Sequence, residues 1–135
     1  MRPITSRDFQ RAAAQRLTAA EVLLRARLTL DAQYLAGYTV ECSLKALLIR
    51  LTSREDRPRL LAKITAGARW HLPDELRGEL KTLGVVLPLE LAKRMRKFRW
   101  NTSLRYESGR GDTGETTAVL KTARAIYEWV EGQLP

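Results

Sequence analysis

The sequence predicts an all-α protein, an antiparallel bundle of four or five helices. Three observations carry that expectation. Apolar residues recur at spacings of three and four along most of the chain. No stretch shows the period-two alternation of a half-buried strand. The breaks between periodic segments hold the proline, glycine and charged clusters that end helices. The length of 135 residues suits a single domain, residues 1–135, with one hydrophobic core that needs neither disulfide nor metal.

The elements follow in order. Phe9, Ala13, Leu17, Ala20 and Leu24 form one apolar face and predict a helix over 6–28. "TSRD" at Thr5–Asp8 fits a capping box at its start. Asp31 is the expected cap of a second helix over 31–52. In it Leu35, Thr39, Cys42, Ala46 and Ile49 make one stripe, and Val40, Leu44, Leu47, Leu48 and Leu51 widen it. A helix so widely apolar is either central in its bundle or part of a subunit interface. One structural stripe stays polar: Tyr34, Tyr38, Glu41 and Lys45. Glu41 and Lys45 have the favoured order for a helix-face ion pair, worth a few tenths of a kcal/mol.

"TSREDRPR" at Thr52–Arg59 reads as a charged loop. "LLAKITAGARWH" holds a short helix ending near Gly67, and Pro73 opens the next, which ends near Gly84. Pro88 opens another, with Leu87, Leu91, Met95 and Phe98 as its apolar stripe and Lys93, Arg94, Arg96, Lys97 and Arg99 on the remaining faces. "ESGRGDTGE" at Glu107–Glu115 reads as a loop. Its Arg110-Gly111-Asp112 matches a tripeptide of adhesion ligands, but a simple turn accounts for those residues. Thr116 or Thr117 is the expected cap of a last helix with Val119, Ala123, Ile126 and Val130 on one face.

Composition narrows the function. With one cysteine and one histidine, a zinc site is nearly excluded and an intrachain disulfide is impossible. There is no phosphate-binding glycine loop, no HExxH and no nucleophile elbow, and no cofactor is expected. Cys42 reads as a small core residue. His71 in "RWHLPDEL" lies just before a helix start, which suits a capping or surface role. No apolar run reaches the roughly 18 residues of a membrane span, and no secretory leader is visible. A soluble, cytoplasmic protein is the expectation.

A net charge of +9 favours polyanionic partners. The cations concentrate in "KRMRKFRWNTSLRY", Lys93–Tyr106, which holds six of them and no acid. On a helix such residues project from one broad side that can follow a phosphate backbone. Trp100 and Tyr106 are candidates to stack on unpaired bases. The same pattern also describes a solvated outer face with Phe98 and Trp100 in the core, and the residues alone leave both readings open.

The order "AAAQRLTAAEVLL", "DAQYLAGYTVECSLKALLI", "WHLPDEL" and "RWNTSLRY" resembles the HEPN family (higher eukaryotes and prokaryotes nucleotide-binding) over most of the chain. Its most specific part is "YLAGY" at Tyr34–Tyr38 followed by "ECSLKA" at Glu41–Ala46. The resemblance implies an up-and-down helical bundle that often dimerises. Many members are metal-independent ribonucleases of toxin–antitoxin, CRISPR and phage-defence systems. Those members carry Arg, four to six residues, then His, and a dimer brings two copies into one cleft. Other members lack the motif and act as binding domains, some beside a nucleotidyltransferase.

Here the chain departs from the family pattern. In "RWNTSLRY" the histidine position holds Arg105, whether Arg99 or Trp100 occupies the arginine position. Arginine stays protonated near neutral pH and cannot act as a general base, although it still binds phosphate. The sequence therefore predicts no catalytic residue. It predicts RNA or nucleotide binding through Arg94, Lys97, Arg99, Asn101, Arg105 and Tyr106, in a homodimer. Two alternatives stand beside that reading: a ribonuclease with an atypical site, and a partner subunit of a nucleotidyltransferase.

Overall fold

A computed structural model describes residues 2–97, 108–109 and 111–135. Among them are six α-helices and no strand: α1 (Ser6–Arg25), α2 (Thr29–Leu51), α3 (Arg57–Ile64), α4 (Pro73–Thr82), α5 (Leu89–Arg96) and α6 (Thr113–Gln133). A 3₁₀ turn, Ala68–His71, precedes α4. None of these helices is long and apolar enough to cross a membrane.

The start of α1 is set locally. Thr5 Oγ1 accepts from the Asp8 amide, and the Asp8 carboxylate accepts from the amides of Ile4 and Thr5. Those backbone bonds hold the Asp8 carboxyl below its ordinary range. The helix ends three residues earlier than its apolar pattern suggests. Arg27 turns left-handed, with φ of 63°, and Leu28 N–H bonds back to Leu23 O, the closing bond of a Schellman turn. Leu28 then occupies the cap position of α2 with no side-chain bond. Asp31 is not the cap; it lies inside the first turn, where its charge complements the helix dipole.

The three long helices meet through specific polar contacts that fix their directions. Arg7 and Gln10, near the start of α1, bond to Glu131 near the end of α6. Arg124 meets Glu21 at the other end, so α1 and α6 run antiparallel. Thr29 bonds to Gly111 and Gln33 to Thr116, so α2 and α6 run parallel. The short Ala26–Leu28 connection makes α1 and α2 an antiparallel hairpin. The Glu131 carboxyl stays below its ordinary range. Burial opposes this, but the hydrogen bonds from Arg7 and Gln10 outweigh it.

α2 is the centre of the molecule. Ala32, Ala36, Val40, Leu44, Leu47 and Leu48 are buried along it, packed by α1 and α6 with α4 to one side. Of the two roles open to so apolar a helix, the chain's own elements supply the first. Cys42 is only half-buried, yet burial, reinforced by the negative charge of Glu41, pushes its thiol up to about 12.

Two further boundaries differ from the sequence pattern. α3 stops at Ile64, and Gly67, at φ of 76°, turns the chain into the 3₁₀ turn that buries Trp70. Lys63 and Arg69 lie over that indole at 5.0 and 4.7 Å. The cap of α6 is Asp112, not Thr116 or Thr117. Its extended backbone lets the carboxylate accept from Gly114 N–H at 3.1 Å. Thr116 lies one turn in, buried, where its hydroxyl bonds back to Asp112 O and accepts from Gln33. In this setting Asp112 of the Arg110-Gly111-Asp112 tripeptide is a helix cap.

Candidate functional site

Pro88 is the cap residue before α5, and its ring-fixed backbone sets the entry angle. Ala92 and Met95 point into the core, and Leu87 is buried just before them. That anchoring leaves Lys93, Arg96 and Lys97 exposed and Arg94 half-buried. Arg94 and Lys97 face the first half of α6 across a groove of about 440 Å³. Among the described residues, Glu115, Ala118, Val119, Lys121 and Thr122 line its other wall. Lys121 adds a third cation that the sequence pattern did not single out. It lies on a separate helix 24 positions beyond Lys97, so only packing brings the two together. Glu115 is the one acid among the described lining residues. The groove pairs an apolar floor with a cationic rim, an arrangement that suits a ring system carrying phosphate. Arg99, Asn101, Arg105 and Tyr106, with Phe98 and Trp100, lie outside the described residues.

The polar stripe of α2 departs most from expectation. Lys45 Nζ donates to Glu41 Oε2 at 2.8 Å, with side-chain exposures of only 4% and 6%. This is a buried ion pair, not the solvated one predicted, and desolvation governs its energetics. The same oxygen is 3.0 Å from His71 Nδ1, so His71 is not a surface cap. The 3₁₀ turn delivers the imidazole there from 30 residues downstream, which no local pattern discloses. Glu41 Oε1 is buried without a hydrogen-bond partner among the described residues. One and two turns earlier, Tyr38 and Tyr34 share a hydroxyl–hydroxyl bond of 2.8 Å, with their rings edge-to-face at 5.1 Å.

Chemically, the cluster is a carboxylate that orients an imidazole. With Nδ1 bonded to Glu41, the Nε2 atom is the ring position left for proton transfer, and the His71 side chain is 38% exposed. Lys45 is charge-balanced and too enclosed to reach a ligand. The cluster and the α5 groove are separate features of the described structure.

A helical bundle with a cationic groove and a buried carboxylate that holds a partly exposed imidazole defines a small, all-α class of protein. Within that class the chain belongs to the HEPN family: the HEPN domain matches residues 6–133, nearly its whole length. No curated protein and no solved structure gave a significant match.

Proposed function

We propose that this chain is a non-catalytic HEPN module that binds RNA or a nucleotide through the basic face of α5 and the segment after it. Arg94, Lys97, Arg99, Asn101, Arg105 and Tyr106 are the contact residues. The observation that carries the reading is the cationic groove, where Arg94 and Lys97 are joined by Lys121 across an apolar floor. HEPN domains often bind nucleotides or RNA and form dimers, and family members serve toxin–antitoxin and phage-defence systems. A homodimer is part of the proposal and rests on that family habit. The apolar breadth of α2 no longer argues for it, because α1 and α6 cover that helix. Light scattering at micromolar concentration should give twice the 15.4 kDa chain mass, and a monomer mass would remove the dimer.

The binding test is a salt titration with labelled single-stranded RNA. Affinity should fall steeply as salt rises, because each neutralised phosphate releases counterions. Replacing Arg94, Lys97 and Arg99 with Glu should abolish binding without unfolding the protein. Unchanged affinity in that variant would leave a solvated face and no site.

A second reading, a metal-independent ribonuclease, draws on the Glu41–His71 pair, since a carboxylate-oriented imidazole can exchange a proton where Arg105 cannot. The same RNA, incubated with EDTA, separates the two. Intact RNA supports binding alone. Cleavage that falls by about 10² or more in His71→Ala would establish the ribonuclease.

A further inference from the structure

The opposite end of the bundle holds a second basic feature. Thr5, Ser6 and Arg7 at the start of α1, Arg50 at the end of α2, Arg54 and Arg57 around the start of α3, and Leu134 and Pro135 after α6 line a cleft of about 450 Å³. Four arginines line it, and none of its described lining residues is acidic. Along α6, Lys121 and Leu134 are 13 residues apart, which at helical rise is roughly 20 Å. This cleft is therefore distinct from the α5 groove.

The four arginines differ in how far the protein satisfies them. Arg7 is spent internally, on both oxygens of Glu131 and on Pro135 O. Arg57 is fixed: its Nε donates to the carbonyls of Ile49 and Thr52 at 3.0 Å each, which orients the guanidinium without cancelling its charge. Arg50 and Arg54 make no ion pair with any described residue. Their fork of donors matches phosphate oxygens. At the start of α1 the Asp8 carboxylate already offsets the positive helix end, but the Ser6 and Arg7 amides are among the first-turn donors with no intrahelical acceptor.

We propose that this cleft is an anion site for phosphate groups, with Arg50, Arg54 and the fixed Arg57 as its donors. The phosphate comes from a free oligophosphate or from the backbone of an RNA strand. The site is independent of the α5 reading and is tested apart from it.

The test is isothermal titration of the full chain with inorganic triphosphate, and separately with single-stranded RNA. Wild type is compared with Arg50→Gln/Arg54→Gln and with the charge-matched control Arg16→Gln/Arg25→Gln, whose residues are exposed on α1. The four substituted positions, Arg16, Arg25, Arg50 and Arg54, are exposed and outside the core, and far-UV circular dichroism verifies that each variant is folded. The cleft variant should bind triphosphate about tenfold or more weakly, the loss expected for charge-assisted hydrogen bonds, while the control binds as wild type does. If the loss appears with triphosphate only, the source is a free oligophosphate. If it appears with RNA only, the source is a phosphodiester backbone. Equal losses in cleft and control variants would reduce the effect to net charge and overturn the site. No loss with either ligand, or no binding of either, would also overturn it. Glu substitution of Arg94, Lys97 and Arg99 should leave triphosphate binding at the cleft intact, so the two sites fail separately.

Discussion

Glu41→Leu should destabilise the protein by about 3–5 kcal/mol, the cost of breaking a buried ion pair from one side. The reason is what remains. Lys45 would sit at 4% side-chain exposure with the Glu41 carboxylate gone. Lys45→Met should cost less, because Glu41 keeps His71 at 3.0 Å. The double variant Glu41→Leu/Lys45→Met should recover most of the loss, since apolar replacements remove both desolvation penalties together. Urea denaturation followed by circular dichroism measures all three, and the cycle isolates the coupling. Losses under about 1 kcal/mol for both single variants would mean that the pair behaves as a solvated one.

The second large effect lies in the same helix. Leu44→Ala should cost about 2–5 kcal/mol, because Leu44 is fully buried where α2 is enclosed and its removal leaves a cavity that rigid neighbours only partly fill. Against a total stability of about 5–15 kcal/mol for a domain of this kind, that is a large share. Leu51→Ala is the matched control. Leu51 is 40% exposed at the end of α2 and should cost well under half as much. Thermal melts should separate the two by roughly 5 °C or more. Similar midpoints for the two variants would contradict the placement of the core along α2.

These two leucines show how far a periodic pattern reaches. Both widen the apolar stripe of the second helix, and spacing alone treats them alike. Spacing reports which side chains share a face. Which part of that face is covered depends on where α1, α4 and α6 end.

The same division holds elsewhere. Features decided within one turn of chain were legible: the capping box at Thr5–Asp8, the helix-opening prolines Pro73 and Pro88, and the inward positions Leu87 and Met95. Features that depend on a turn's backbone were missed. Arg27 closes α1 in a left-handed conformation with no glycine to signal it, and Asp112 takes the cap from the threonines because the chain reaches α6 extended.

For the sites, the sequence located the cations of α5 by their density, while Arg99, Asn101, Arg105 and Tyr106 fall outside the described residues. It could not pair them with Lys121. It found Glu41 and Lys45 four apart and assigned them to a wet face, because helical spacing carries no information about what covers the helix. Nor could it supply His71 or assemble a cleft from positions 7, 50, 54 and 57.

By itself, then, the sequence determined the helical class, the local helix starts and the excess of positive charge, which follow from nearest-neighbour chemistry and composition, and it carried the motifs of the family likeness. Only the tertiary structure decided which charges are buried, which are matched and which face a common opening. Those properties depend on distances between groups far apart in the chain, and on the water that packing removes from between them.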